Sequence, residues 1–77
     1  MTTVSISLNS IEKVKSFVNE IAKFECDFDL ISGRYIIDAK SIMGIFSLDL
    51  SQEILLKIHA NEPEITGILE SLKPYIA

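Results

Sequence analysis

Cysteine is nearly absent from this sequence. Cys26 stands alone among 77 residues, so no internal disulfide can form. With no signal-peptide pattern at the N-terminus, a reducing, cytoplasmic setting is the expectation. No apolar run approaches the roughly 18 residues that span a bilayer, so no membrane partner is expected. Basic charge is scarce, with seven lysines and arginines against eleven acids and a formal net charge of −4. Phosphate backbones need a net basic face, so no nucleic-acid partner is expected either. The chain shows no P-loop, no glycine-rich nucleotide fingerprint, no metal-ligand cluster and no nucleophile–base pair. Without them neither a metal, a cofactor nor an enzymatic activity is expected. It has no repeat, linker or low-complexity stretch, which predicts one domain over 1–77.

What the chain does have is apolar side chains, 48% of the total. A domain this short buries only about 60% of its unfolded surface, so these residues must share one core. Residues 3–8, TVSISL, alternate with Val4, Ile6 and Leu8 on one face, which predicts a half-buried strand. In NSIEKVKSFVNEIAKF, Ile11, Val14, Val18 and Ile21 recur at helical spacing, with Phe17 and Ala22 beside them. Asn9 with Glu12 makes a capping box for this helix, and Ser10 is a second N-cap candidate. FDLISGRYIIDA predicts a hairpin turning at Ser32-Gly33. ILLKIHA, 54–60, predicts another strand. NEPEITGILESLKPYIA predicts a closing helix with Asn61 and Glu64 as its capping box, Pro63 in its first turn and Pro74 as an early stop. The order β-α-β-β-(short α)-β-α predicts an α+β fold: a four-stranded antiparallel sheet covered on one face by helices.

Residues 38–50, DAKSIMGIFSLDL, fit none of these patterns. Apolar side chains crowd a segment that Gly44 interrupts. The residues alone allow two readings, a plug at one end of the sheet or a surface patch. KSIMG and the stretch from AKF (22–24) through KSIMGIFSL (40–48) resemble the histidine-containing phosphocarrier protein, HPr, family of the bacterial sugar phosphotransferase system. The resemblance extends over nearly the whole chain and implies the open-faced β-sandwich already predicted. It also implies that Ser41 caps a short helix and is a candidate for regulatory phosphorylation by a serine kinase. By the same resemblance Ile42, Met43 and Phe46 form a docking surface, with Lys23 and Lys40 as basic partner contacts and Ile45 and Leu48 turned inward. The partners so implied are other proteins, among them phosphotransferase-system components.

The family's relay histidine begins the first helix in a Gly-Ile-His-Ala-Arg-Pro-Ala type motif. An ungapped alignment places Ser10 at the histidine, Glu12 at the arginine, Lys13 at the proline, and Leu8 and Asn9 at the preceding Gly and Ile. None of the motif remains, and the loop before the helix is shorter. A serine holds phosphate as a stable ester, and Glu12 opposes an anion beside it. The chain is therefore expected to lack histidine relay and to act as a protein-binding or regulatory module. The alternatives are a phosphocarrier using a substitute acceptor such as Ser10, and an interaction domain unrelated to sugar transport. The one histidine, His59, reads as a solvent-facing or edge residue of the last strand. Cys26, between Glu25 and Asp27, lacks the cationic surroundings of a reactive thiol and reads as a small buried hydrophobe. Lys13, Lys15, Lys23 and Lys40 form either a basic strip or a solvated helix face.

Overall fold

The computed structural model describes all 77 residues. Its elements run β1 (Thr2–Ile6), α1 (Ile11–Ile21), β2 (Phe28–Ser32), β3 (Tyr35–Asp38), α2 (Ile42–Phe46), β4 (Ile54–Ile58) and α3 (Glu64–Ser71), followed by a 3-10 turn at Lys73–Tyr75. The four strands form one antiparallel sheet in the order β1-β4-β2-β3. Strand alternation turns Val4, Ile6, Ile54, Leu56, Ile58, Phe28 and Leu30 toward the helices, and all but the half-buried Val4 are buried. From the helices, Val14, Phe17, Ile21, Ile65, Ile68 and Leu72 complete the core. Every buried residue is apolar, so the core carries no unpaired polar side chain. The other face of the sheet is bare, which makes this the two-layer open-faced sandwich predicted.

The helix boundaries differ from expectation at both capping boxes. At α1 the cap is Ser10, whose Oγ accepts from the Lys13 N–H at 3.1 Å, not Asn9. Glu12 makes no reciprocal hydrogen bond, because with Ser10 as N-cap it lies one residue short of the reciprocating position. The buried stripe of α1 is Val14, Phe17 and Ile21, while Ile11 and Ala22 face solvent. At α3, Asn61 does not cap, since its Oδ1 accepts instead from the chain's N-terminal ammonium at 3.0 Å. Helix α3 starts at Glu64 directly after Pro63 and ends at Ser71, with Pro74 in the 3-10 turn that follows. The hairpin turns one residue later than predicted, at Gly33-Arg34, because Ser32 pairs with Tyr35. Gly33 has φ +59°, the left-handed conformation that suits glycine at the first turn position.

The C-terminus closes one sheet edge. Ser7 N–H donates to Tyr75 C=O at 2.8 Å and Ala77 N–H to Ser5 C=O at 2.9 Å. Tyr75 is buried edge-on against Phe17, with centroids 5.5 Å apart, and its hydroxyl contacts Ser16 Oγ. The opposite edge, β3, has no such cover.

Candidate docking and phosphorylation site

Helix α2 is five residues long, far too short to persist alone, so its ends and its contacts hold it. Ser41 is extended at φ −93°, ψ 100°, and its Oγ accepts from Gly44 N–H at 3.3 Å. This is the N-cap geometry that serine favours. At the other end Ser47 Oγ donates to the Gly44 carbonyl at 2.6 Å. Ile45 is fully buried and Leu48 packs half-buried on the core, which anchors the inner side. Met43 is 77% exposed and Phe46 40% exposed. Ile42 is half-buried against the core and offers only part of its side chain outward, so the exposed triplet expected from the sequence reduces to a pair. Gly44 sits where a side chain would crowd the cap: an added Cβ would lie 3.2 Å from Ser41 Oγ and 3.4 Å from Ile37 Cδ1. Beyond the helix, Asp49 accepts from the N–H and hydroxyl of Ser51, and these bonds hold its carboxyl below the usual carboxylate range.

The lysines divide. Lys40 is not free to reach a partner. Its ammonium donates to the Phe24 carbonyl at 2.8 Å and lies 5.7 Å from the Phe28 ring centroid, which fastens the start of α2 to the end of α1. Lys23 is exposed and pairs with Glu20 at 3.1 Å. With Lys40 turned inward and Lys23 paired to an acid, the four lysines do not form a free basic strip.

Sequence reasoning placed Ile11 in the core, yet it is 62% exposed, next to the Ser10 cap. Helices α1 and α2 pack against each other, and each exposes large apolar side chains, Ile11 on α1 and Met43 and Phe46 on α2. The signal lay in the sequence, because Ile11 is the first residue after a cap and helix starts are seldom covered. Ser10 itself is exposed at the head of α1. His59 is separated from these helices by the sheet itself. By alternation it lies on the bare face of the sheet, half-buried, with its Nε2 2.7 Å from Asp29 Oδ2. Its backbone N–H donates to the Asp27 carbonyl. Cys26 is a free thiol, half-buried against the core.

A four-stranded antiparallel sheet backed on one face by helices, with a serine-capped short helix between β3 and β4, defines the class of open-faced α+β sandwiches. The family model described as the PTS HPr component phosphorylation site matches residues 12–77. The chain belongs to the HPr family. Among solved structures it is similar to HPr-C-His from Thermoanaerobacter tengcongensis, at 26% identity and a TM-score of 0.76, covering 96% of this chain and 89% of that one. It is also similar to the phosphocarrier protein HPr of Bacillus anthracis, at 28% identity and a TM-score of 0.70, covering 99% and 94%. The histidine-containing phosphocarrier protein of Mycoplasma shares the fold at 17% identity and a TM-score of 0.70, covering 95% and 93%. No curated protein sequence matches the chain. The family match begins at residue 12, beyond Ser10.

Proposed function

We propose that this HPr-family chain has lost histidine relay and acts as a cytosolic protein-binding module through α2, with Ser41 as its regulatory phosphorylation site. It is a binding module and not an enzyme. One observation carries the reading: a serine, with its hydroxyl committed to the Lys13 N–H, occupies the head of α1, while the chain's only histidine is held by Asp29 on the bare sheet face. A phosphoryl relay needs an imidazole at a position where helix N–H groups can hold the phosphate. Here that position carries a plain helix cap, with Glu12 adding negative charge beside it. The partner-facing side remains. Met43 and Phe46 expose large apolar surface on one capped helix, which suits a compact protein interface. Lys23, exposed and paired only to Glu20 on the surface, is a further candidate partner contact. The partners are phosphotransferase-system proteins or their serine kinase.

The test uses two assays on the intact protein. Titration against the general phosphotransferase enzyme and against an HPr-type serine kinase should give binding that Met43→Ser abolishes. Incubation with phosphoenolpyruvate and the same enzyme should give no acid-labile phosphoprotein. Binding that ignores Met43, or a phosphoryl group that acid removes, overturns the reading.

A further inference from the structure

The two edges of the sheet are treated differently. The β1 edge is paired with residues 75–77, whereas β3 ends the sheet with its outer side open. Open edges are usually blunted by shortness, charged side chains, a proline or a bulge. Strand β3, Tyr-Ile-Ile-Asp, is short and ends in the charged Asp38 but has no lysine, proline or bulge, and Tyr35 and Ile36 are each 69% exposed. The Ser32–Tyr35 pair closes a two-residue turn and is therefore the hydrogen-bonded kind. Pairing then alternates, so the N–H and C=O of Ile36 and the N–H of Asp38 point outward.

The residues around Ile36 are complementary to themselves. In an antiparallel pair centred on a two-fold axis at Ile36, Ile36 faces its own copy, Tyr35 faces Ile37, and the turn residue Arg34, just before the strand, comes level with Asp38 of the other copy at both ends. Neither Arg34 nor Asp38 has an ion-pair partner within the chain. Asp38 moreover stands directly opposite Asp29 in the sheet; Asp29 is hydrogen-bonded to His59, and Asp38 Oδ1 accepts from the Lys40 N–H at 2.9 Å, which leaves its carboxylate without a cationic partner. This register keeps the helices of both copies on the same side. It also continues an apolar row on the bare face, since Leu55, Ile31 and Ile36 are direct neighbours across β4, β2 and β3. From the open edge, the paired charges and this row, we propose that β3 is the contact edge of a symmetric dimer of this chain, forming one continuous eight-stranded sheet. The contact involves four to five residues of each copy and falls below the standard interface size of about 1,600 Å².

Sedimentation velocity from about 10 µM to about 1 mM should show the mass rising toward that of a dimer. Arg34→Asp sets Asp against Asp, and Asp38→Arg sets Arg against Arg, so each variant alone should raise the dissociation constant at least about tenfold. An equimolar mixture of the two variants pairs Asp with Arg at both positions and should regain association. A second readout needs no variant: amide exchange at Ile36 should slow on going from dilute to concentrated wild type, because its N–H is free in the monomer. A wild type that stays monomeric with concentration-independent Ile36 exchange overturns the proposal. So does an Arg34→Asp variant that associates like wild type, or a mixture of folded variants that stays monomeric.

Discussion

Ser10 and Ser41 hold equivalent posts, each an exposed serine accepting a backbone N–H three residues on. Their surroundings differ. Ser10 is followed by Glu12 in the first turn of its helix, whereas α2 has no acid in its first turn. A phosphate on Ser41 gains from the free N–H groups of α2 without facing a carboxylate there, so it should tighten the helix. Its charge of about −1.5 to −2 would stand beside Ile42 and Met43 and repel an acidic partner. Lys40, although adjacent in sequence, will screen little of it, because its ammonium is held on the Phe24 carbonyl. An HPr-type serine kinase should therefore modify Ser41, located by mass spectrometry. Modification confined to Ser47 or Ser51 would leave Ser41 a cap and nothing more. At Ser10, phosphoenolpyruvate and the general phosphotransferase enzyme should leave no acid-labile phosphate, read on a native gel, since no imidazole stands there.

At the scale of the element, α2 separates an anchoring side from an exposed side, and substitutions should separate likewise. Ile45→Ala deletes a fully buried side chain and should cost about 2–5 kcal/mol. Met43→Ser removes a side chain that is mostly in water and should cost under about 1 kcal/mol, while abolishing partner binding. Denaturant midpoints of the two variants check this, and a large cost at Met43 would make α2 a plug of the core. The strands and both long helices were legible from alternation and helical spacing, because those periods report directly which face is covered. The caps were less so. NSIE and NEPE both read as capping sequences, but a cap forms only where the side chain has no better partner and the register is right. Ser10 took the first, and the N-terminal ammonium took Asn61 from the second. Ile11 shows the same limit, since periodicity assigns it to the stripe but not to a covered part of the stripe. Lys40 was legible as a cation near α2, whereas its inward turn depended on where the α1 carboxyl end came to rest.

The whole molecule is small enough that one contact at its margin matters. At about 0.05–0.15 kcal/mol per residue, a 77-residue domain has roughly 4–12 kcal/mol of stability to lose. Tyr75 joins three parts at once: its ring packs edge-on to Phe17 of α1, its hydroxyl meets Ser16, and its carbonyl accepts from Ser7 just beyond β1. It thereby fastens the last residues along the β1 edge, where Ile76 bridges to Ile6. Tyr75→Ala should cost about 3–5 kcal/mol, since it removes a buried aromatic from between the helix layer and the sheet edge. Tyr75→Phe keeps the ring and loses only the hydroxyl contact, and Ser16 is exposed and can turn to water, so its cost should stay within about 1 kcal/mol. Urea unfolding of the two variants measures the difference. If Tyr75→Ala proves as mild as Tyr75→Phe, the ring is not what fastens the chain end. If it unfolds early and also aggregates while Tyr75→Phe does not, the exposed β1 edge is the cause, because an unpaired strand edge invites pairing with other chains.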